Sequence, residues 1–220
     1  MGCGSLQYKL YIHHLNIHAV LGNTDIYLID QIMKGRYAQQ DIILDAGCGD
    51  GRNMHWFINN EFPIYGTDTD ATMINALSKK YSSLPTDRFQ VSAVKNMQFS
   101  TDFFDHVISS AVLHFAKDRH HFFSMVEEML RVVKQGGTLF IRMASDIGIE
   151  NYVKEIGEGV YHIPDGSTRF LLTRTLLSQL LKKYNVTFLE EFKTVNVNDI
   201  RCMSTLMLLC SNTPEYYTDK

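Results

Sequence analysis

Apolar residues recur along the chain at two spacings, and the switches between them outline its elements. Between residues 5 and 38, Leu10, Ile17, Val20 and Leu21, then Ile26, Leu28, Ile29, Ile32 and Met33, fall on helical faces. This predicts two amphipathic helices on either side of the Gly22-Asn23 break. The run Ile42-Ile43-Leu44 has no polar alternation and reads as a strand buried on both faces. Helical spacing resumes over Asn53 to Asn60 and over Ala71 to Tyr81, with a strand from Phe62 to Thr67 between them that ends at Asp68. Phe89 to Ser92 and Asp105 to Ser110 are short strand candidates, the second preceded by the turn-forming Ser100-Thr101-Asp102. Phe122, Phe123, Val126, Met129, Leu130 and Val133 mark one face of a longer helix between Asp118 and Val133. Gly136-Gly137 is expected to stop that helix before a strand at Thr138 to Ile141.

The alternation of strand and helix implies an α/β fold, a mainly parallel sheet with helices on both faces. From Ser145 to Phe170 the pattern weakens around Gly148, Gly157, Gly159, Pro164 and Gly166, so a lid-like insertion over the ligand-facing sheet edge is expected. Thr173 to Tyr184 reads as a helix, and Val186 to Phe192 and Cys202 to Cys210 as a pair of antiparallel strands. A chain of 220 residues fits one domain more readily than two. The expected division is a helical cover over residues 1–38, a ligand-binding core over 40–145, the lid-like segment over 145–170, and a closing helix and hairpin over 171–212.

Candidate chemistry concentrates between Ile43 and Asn53, where the strand runs into Asp45-Ala46-Gly47-Cys48-Gly49-Asp50-Gly51-Arg52. Glycines at 47, 49 and 51 let the backbone turn sharply and let a ligand approach bare peptide. A dinucleotide site requires G-x-G-x-x-G. Here the sixth position is Arg52, and Asp45 stands two residues before the first glycine, where a carboxylate repels a pyrophosphate and attracts an ammonium or sulfonium. Asp68, some twenty residues further on, sits at the separation at which an acid meets a ribose diol, and its two oxygens suit that role. Asp70 is the better N-cap for the following helix.

The stretch Asp45 to Gly51 resembles motif I of the class I S-adenosylmethionine-dependent methyltransferases of the type 11/12-like group, and the order of elements from residue 40 to 145 is similar to theirs. Asp50-Gly51-Arg52-Asn53 is also similar to the G-x-G-R-N stretch of tellurite-resistance-type methyltransferases. The resemblance implies a Rossmann-like, seven-stranded, mainly parallel sheet with a closing antiparallel β-hairpin. It implies S-adenosyl-L-methionine as donor and S-adenosyl-L-homocysteine as product. Asp45 and the amides of Gly47, Cys48 and Gly49 are then expected to hold the amino-acid end of the donor, Asp68 the ribose and Thr69 the adenine side. The family's acid after the third strand is replaced by Ala93, so adenine is expected to rest on main chain at Ala93 and Val94, with Met97 as apolar cover. Ser109 or Ser110 is expected beside the methionine part. Ser109 to Phe115 lacks the N/D-P-P-Y/F pattern of amino-methyltransferases of nucleobases and glutamine.

Composition narrows the setting. Hydrophobic residues make up 45% and charged residues 20%, and the net charge of −3 has no long runs, so nothing marks a nucleic-acid or membrane partner. Cys3, Cys48, Cys202 and Cys210 form no C-x-x-C pair and no disulfide framework, which fits a reducing cytoplasm. Cys48 reads as a small packing residue within the donor turn. No apolar stretch reaches the roughly 20 residues of a membrane span. Met1-Gly2-Cys3 suggests lipidation, but Leu6 occupies the position where myristoylation requires Ser or Thr.

Nine histidines invite a metal reading that the spacing does not support, since His13, His14 and His18 supply no third or fourth ligand. His114 is the candidate general base, by its place after the fourth strand and its near-neutral titration. Arg52 is a candidate for an anionic acceptor, and Tyr11, Tyr152 and Arg169, with Tyr8 and Tyr161, are candidates to line an acceptor pocket. The expected function is methyl transfer to a small-molecule acceptor by in-line displacement. A cofactor-binding regulator without turnover is the alternative, and a Rossmann oxidoreductase is opposed by Asp45 and Arg52.

Overall fold

The computed structural model describes residues 16–211 of the chain. The apolar run after Asp41 becomes β1 (Ile43–Ala46), buried throughout. Around it lie β2 (Ile64–Asp68), β3 (Phe89–Val91), β4 (Phe104–Ser110) and β5 (Val133–Ser145), all parallel, in the spatial order β5-β4-β1-β2-β3. Because strand residues alternate between faces, each face collects its own core. Leu44, Val107, Leu139 and Ile141 point toward α5 (Arg119–Val132) and α6 (Arg174–Lys183). Ile43, Ile108 and Phe140 point toward α2 (Ile26–Met33), α3 (His55–Asn59) and α4 (Ala71–Lys80). A further short helix, α1 (Ile17–Leu21), precedes α2 across Gly22. The expected helices on both faces are present, and the part of the helical cover before residue 16 lies outside the described residues.

At the other edge β11 (Arg201–Cys210) runs antiparallel to β5. Its free side is shared end to end by β9 (Val186–Phe188), paired with Leu208 to Cys210, and β10 (Lys193–Val197), paired with Arg201 to Thr205. The expected hairpin is therefore present at its far end, while β10 adds a pairing that periodicity did not announce. The main path holds seven strands, with β9 as an eighth beside it.

Two expectations are corrected. Gly136-Gly137 does not end α5, which passes directly into β5 at Val133. The glycines fill a bulge between the Phe104–Val133 and His106–Thr138 pairings, where a Cβ on Gly137 would lie 2.6 Å from the Asp105 carbonyl oxygen. Residues 145 to 170 are not irregular either. They form a separate antiparallel sheet of β6 (Lys154–Gly157), β7 (Val160–His162) and β8 (Thr168–Phe170). Its tight turn has positive φ at both Glu158 and Gly159, as a two-residue hairpin demands. Phe170 anchors it to α5, stacked on Phe122 with ring centroids 4.9 Å apart.

Candidate active site

The glycine turn follows β1 at the carboxyl ends of the parallel strands. Gly47 (φ +82°), Gly49 (φ +53°) and Gly51 (φ +77°) all occupy the left-handed region. The N–H groups of Gly47 and Cys48 both donate to the Thr67 carbonyl, at 2.8 and 2.9 Å, which closes the turn onto β2. A Cβ on Gly47 would stand 2.5 Å from the Val112 side chain and one on Gly51 2.5 Å from Leu77, while one on Gly49 would meet nothing within 4 Å. Two of the glycines are thus required by packing, and the middle one borders open space.

That space is a cavity of about 490 Å³. Gly47, Cys48, Gly49, Asp68, Thr69, Ala93, Val94 and Ser110, all expected from the sequence, share its wall. The Asp68 carboxylate is fixed from both sides, accepting the Gly49 N–H at one oxygen and the Asp70 N–H at the other, each at 2.9 Å. Each oxygen keeps a lone pair for a ligand hydroxyl. Asp70 caps α4 as expected, accepting from the Thr72 and Met73 N–H groups. Cys48 is buried and its thiol is pushed up, first by burial and then by Asp45 and Asp68, so it is held protonated as a packing group.

Asp45 and Ser109 do not reach this wall. Ser109 shares the face of Val107, toward α5, and is fully buried; Ser110 takes the other face and the cavity. Asp45 is 1% exposed beneath the turn, and neither carboxylate oxygen has a hydrogen-bond partner among the described residues. Burial, against the charge of Arg52 and reinforced by Asp68 and Asp50, pushes its pKa up to about 7. Met97 is buried with its N–H bound to Glu128 at 2.7 Å, and Met125 is the methionine on the cavity wall. Sequence reasoning also missed Lys95, Val112, Phe115 and His121 on that wall. The i, i+4 pair His121 and Met125 on α5 was a legible signal for part of this set.

A second cavity, of about 330 Å³, adjoins the first through two common residues, Arg52 and Ala111. Ala111 follows β4 with φ +63°, in the left-handed region that alanine avoids. Asp25, unnoticed in the sequence, organises this side. Its carboxylate lies 3.0 Å from Arg142 Nε and 3.8 Å from the Arg52 guanidinium, and accepts the Ser110 hydroxyl at 3.2 Å. Ser110 in turn accepts from Arg52 at 3.1 Å. Arg169 lines this second cavity, as does His114, which is 8% exposed.

His114 departs from its expected chemistry. Burial, with the charge of Arg169 adding to it, pushes its pKa down to about 4, so the ring is neutral at physiological pH and a weaker base than free imidazole. Tyr152 is 60% exposed and lines neither cavity, because it lies in the turn before β6 and points to solvent. Tyr161, on β7, lines neither as well. Tyr8, Tyr11, His13 and His14 lie outside the described residues.

The family model described as a methyltransferase domain matches residues 44–141, from within β1 to within β5. Over 115 residues the chain is 30% identical to an uncharacterised methyltransferase, YodH, of Bacillus subtilis, covering 51% of this chain and 44% of that protein. Over 100 residues it is 33% identical to the tRNA (carboxymethyluridine(34)-5-O)-methyltransferase of Arabidopsis thaliana, covering 46% of this chain and 23% of that protein. The chain thus spans less than half the length of either relative. Among solved structures, the PH0226 protein of Pyrococcus horikoshii superimposes with a TM-score of 0.67 at 17% identity, covering 84% of this chain and 89% of that one. The 1,6-didemethyltoxoflavin-N1-methyltransferase of Burkholderia thailandensis, solved with bound 1,6-didemethyltoxoflavin and S-adenosylhomocysteine, gives a TM-score of 0.65 at 14% identity over 90% and 82% of the two chains. These two likenesses concern the fold.

Proposed function

We propose that this chain, whose residues 44–141 match the methyltransferase-domain family, is a class I S-adenosylmethionine-dependent methyltransferase and transfers a methyl group from S-adenosyl-L-methionine to a small-molecule acceptor in the second cavity. The observation that carries the reading is the meeting of the two cavities at Arg52 and Ala111.

The residues present fit the donor. Asp45, beneath the turn, offers two partnerless buried oxygens that a bridging water would connect to an ammonium, and Gly49 leaves open space that a side chain would fill. Asp68 receives the ribose hydroxyls on an already immobilised carboxylate. Ala93 and Val94 present main chain to the adenine, and Phe115 and Met125 cover the wall with apolar surface.

When bound, the sulfonium donor supplies an electrophilic methyl carbon and departs as a neutral thioether. Alignment and exclusion of water are the tasks left to the protein, and no covalent enzyme intermediate is required. Ala111 and Ser110 form the floor between the cavities, and Ser110 is immobilised by its bonds to Asp25 and Arg52. Where the acceptor atom is a hydroxyl, its proton leaves to His114 or to solvent. Where it is an anionic oxygen or a thiolate, no proton moves.

A small acceptor is favoured over a polymer by the size of the second cavity, about 330 Å³, and by the acidic balance of the chain. Among the described residues no helix is long and apolar enough to cross a membrane, and a cytoplasmic setting belongs to this proposal. Titration calorimetry tests it. S-adenosylhomocysteine is expected to bind while NAD does not, and Asp68→Ala is expected to weaken the first at least tenfold. Equal binding of NAD, or an unchanged affinity in the variant, defeats the reading.

A further inference from the structure

The charges of the second cavity do not cancel. Four guanidinium groups, Arg52, Arg142, Arg169 and Arg201, line it against two carboxylates, Asp25 and Asp165. Asp25 is committed to Arg142 and Arg52. Arg142 is further fixed by donating to Thr205 Oγ1 at 3.0 Å and by lying 4.2 Å from the centre of the Tyr27 ring. Among the described residues Arg169 donates only to a main-chain oxygen, that of Thr168 at 2.9 Å, and its guanidinium stands 5.2 Å from the centre of the Phe115 ring. Among the described residues, no carboxylate lies within 4.0 Å of Arg169 or Arg201. The Asp165 carboxylate accepts the Ser167 N–H at 2.8 Å and feels both guanidinium charges from beyond ion-pair distance, so one acid is set against two bases there.

A second observation points the same way. His114, more than nine-tenths buried on this wall, has an Nδ1 with no hydrogen-bond partner among the described residues. Buried polar atoms are normally satisfied, and one left bare beside a cavity marks a place for a ligand. Its ring packs edge-on against Phe115, centroids 4.4 Å apart, and Phe115 lines the donor cavity. Arg169, Phe115 and His114 thus connect the surplus charge to the place where the methyl group would be presented.

We propose that the second cavity selects an anionic acceptor, a small molecule whose oxyanion, carboxylate or phosphate, is held by Arg169 and Arg201 while its reacting atom faces the donor cavity beside His114 and Ala111. The methyl-transfer reading enters only in calling that molecule an acceptor. Guanidinium groups suit oxyanions because their planar fork binds two oxygens at once. Low-dielectric walls focus the uncompensated field, so anions concentrate there. An anion on Arg169 also removes one of the two influences that depress the basicity of His114, so charge recognition and proton acceptance are coupled at one wall.

The test uses three probes of one shape, benzoate, phenyl phosphate and the neutral benzamide, titrated by calorimetry with and without saturating S-adenosylhomocysteine. At least one anion is expected to bind tenfold or more tightly than benzamide. Arg169→Gln and Arg201→Gln are each expected to weaken it about fivefold, Arg169→Lys less, and the double glutamine variant to abolish the preference. S-adenosylhomocysteine affinity is expected to stay within about threefold, which also reports that the variants are folded. Equal binding of benzamide and both anions, or a preference that survives the double variant, overturns the anion site and leaves the donor site standing. A charge preference without S-adenosylhomocysteine binding supports the anion site and overturns methyl transfer. Which anion binds tighter distinguishes a carboxylate acceptor from a phosphate one.

Discussion

Arg142 Nε lies 3.0 Å from the Asp25 carboxylate, an ion pair that joins the first residue before α2 to the inner part of β5. The same carboxylate caps α2 through the Tyr27 N–H at 2.9 Å, and the Asp25 N–H donates to the buried Asn53 side chain at 3.0 Å. The side chains of the pair are only 9% and 14% exposed. Asp25→Ala therefore removes a cap and strands a largely buried guanidinium, and is expected to cost about 3 kcal/mol in urea denaturation. Asp25→Asn, which keeps the cap, is expected to lose less. An unchanged midpoint in the alanine variant would show that the pair is only a solvated contact.

The buried acid of Asp45 makes stability and donor binding depend on pH in a defined direction. Its folded pKa, near 7, is raised above that of the unfolded chain, near 4. The folded state therefore holds an extra proton between those values. The associated stability is complete below pH 4 and is lost as pH rises through 7, roughly 4 kcal/mol in all. The difference between wild type and Asp45→Asn isolates this contribution, and the variant is expected to be the more stable protein at pH 8. If a ligand ammonium pairs with the carboxylate, S-adenosylhomocysteine binding at pH 6 releases close to one proton. Calorimetry in buffers of different ionisation enthalpy measures that release, and proton-neutral binding would remove the assignment.

Gly47 and Gly49 are expected to fail in different ways. Gly47→Ala drives a methyl into Val112 at 2.5 Å, with an expected loss of about 2–4 kcal/mol. Gly49→Ala meets no atom within 4 Å, so its cost is the conformational strain of about 1 kcal/mol. Its methyl nevertheless enters the cavity edge, and donor affinity is expected to fall at least tenfold. Denaturation and calorimetry on the two variants should show opposite rankings.

Much of the architecture was readable because buried parallel strands and amphipathic helices leave strong periodic signals. Ile42-Ile43-Leu44, the glycine turn, Asp68 and the stripe on α5 are of this kind. The sheet of β6, β7 and β8 was not readable, since Lys154 to Gly157 are all exposed and impose no alternation. Ser109 and Ser110 could not be told apart because β4 is buried on both faces and loses its polar-apolar rhythm. Asp25 was invisible for another reason. Its role depends on Arg52, Ser110 and Arg142, which only the folded chain brings together.

Ala111 stands at φ +63° where the two cavities meet, a position that costs an alanine about 1 kcal/mol. Ala111→Gly relieves that strain and is expected to raise the melting temperature slightly while lowering turnover through a looser floor. A variant that gains stability and keeps full turnover would show that the strained geometry has no part in alignment.

Arg52 belongs to both cavities at once. A ligand that displaces its guanidinium on entering one chamber alters the shape and charge of the other, so the two occupancies are thermodynamically linked. By reciprocity the donor changes the affinity for the acceptor by the same factor as the acceptor changes that for the donor. One side chain is enough to let each chamber sense whether the other is filled.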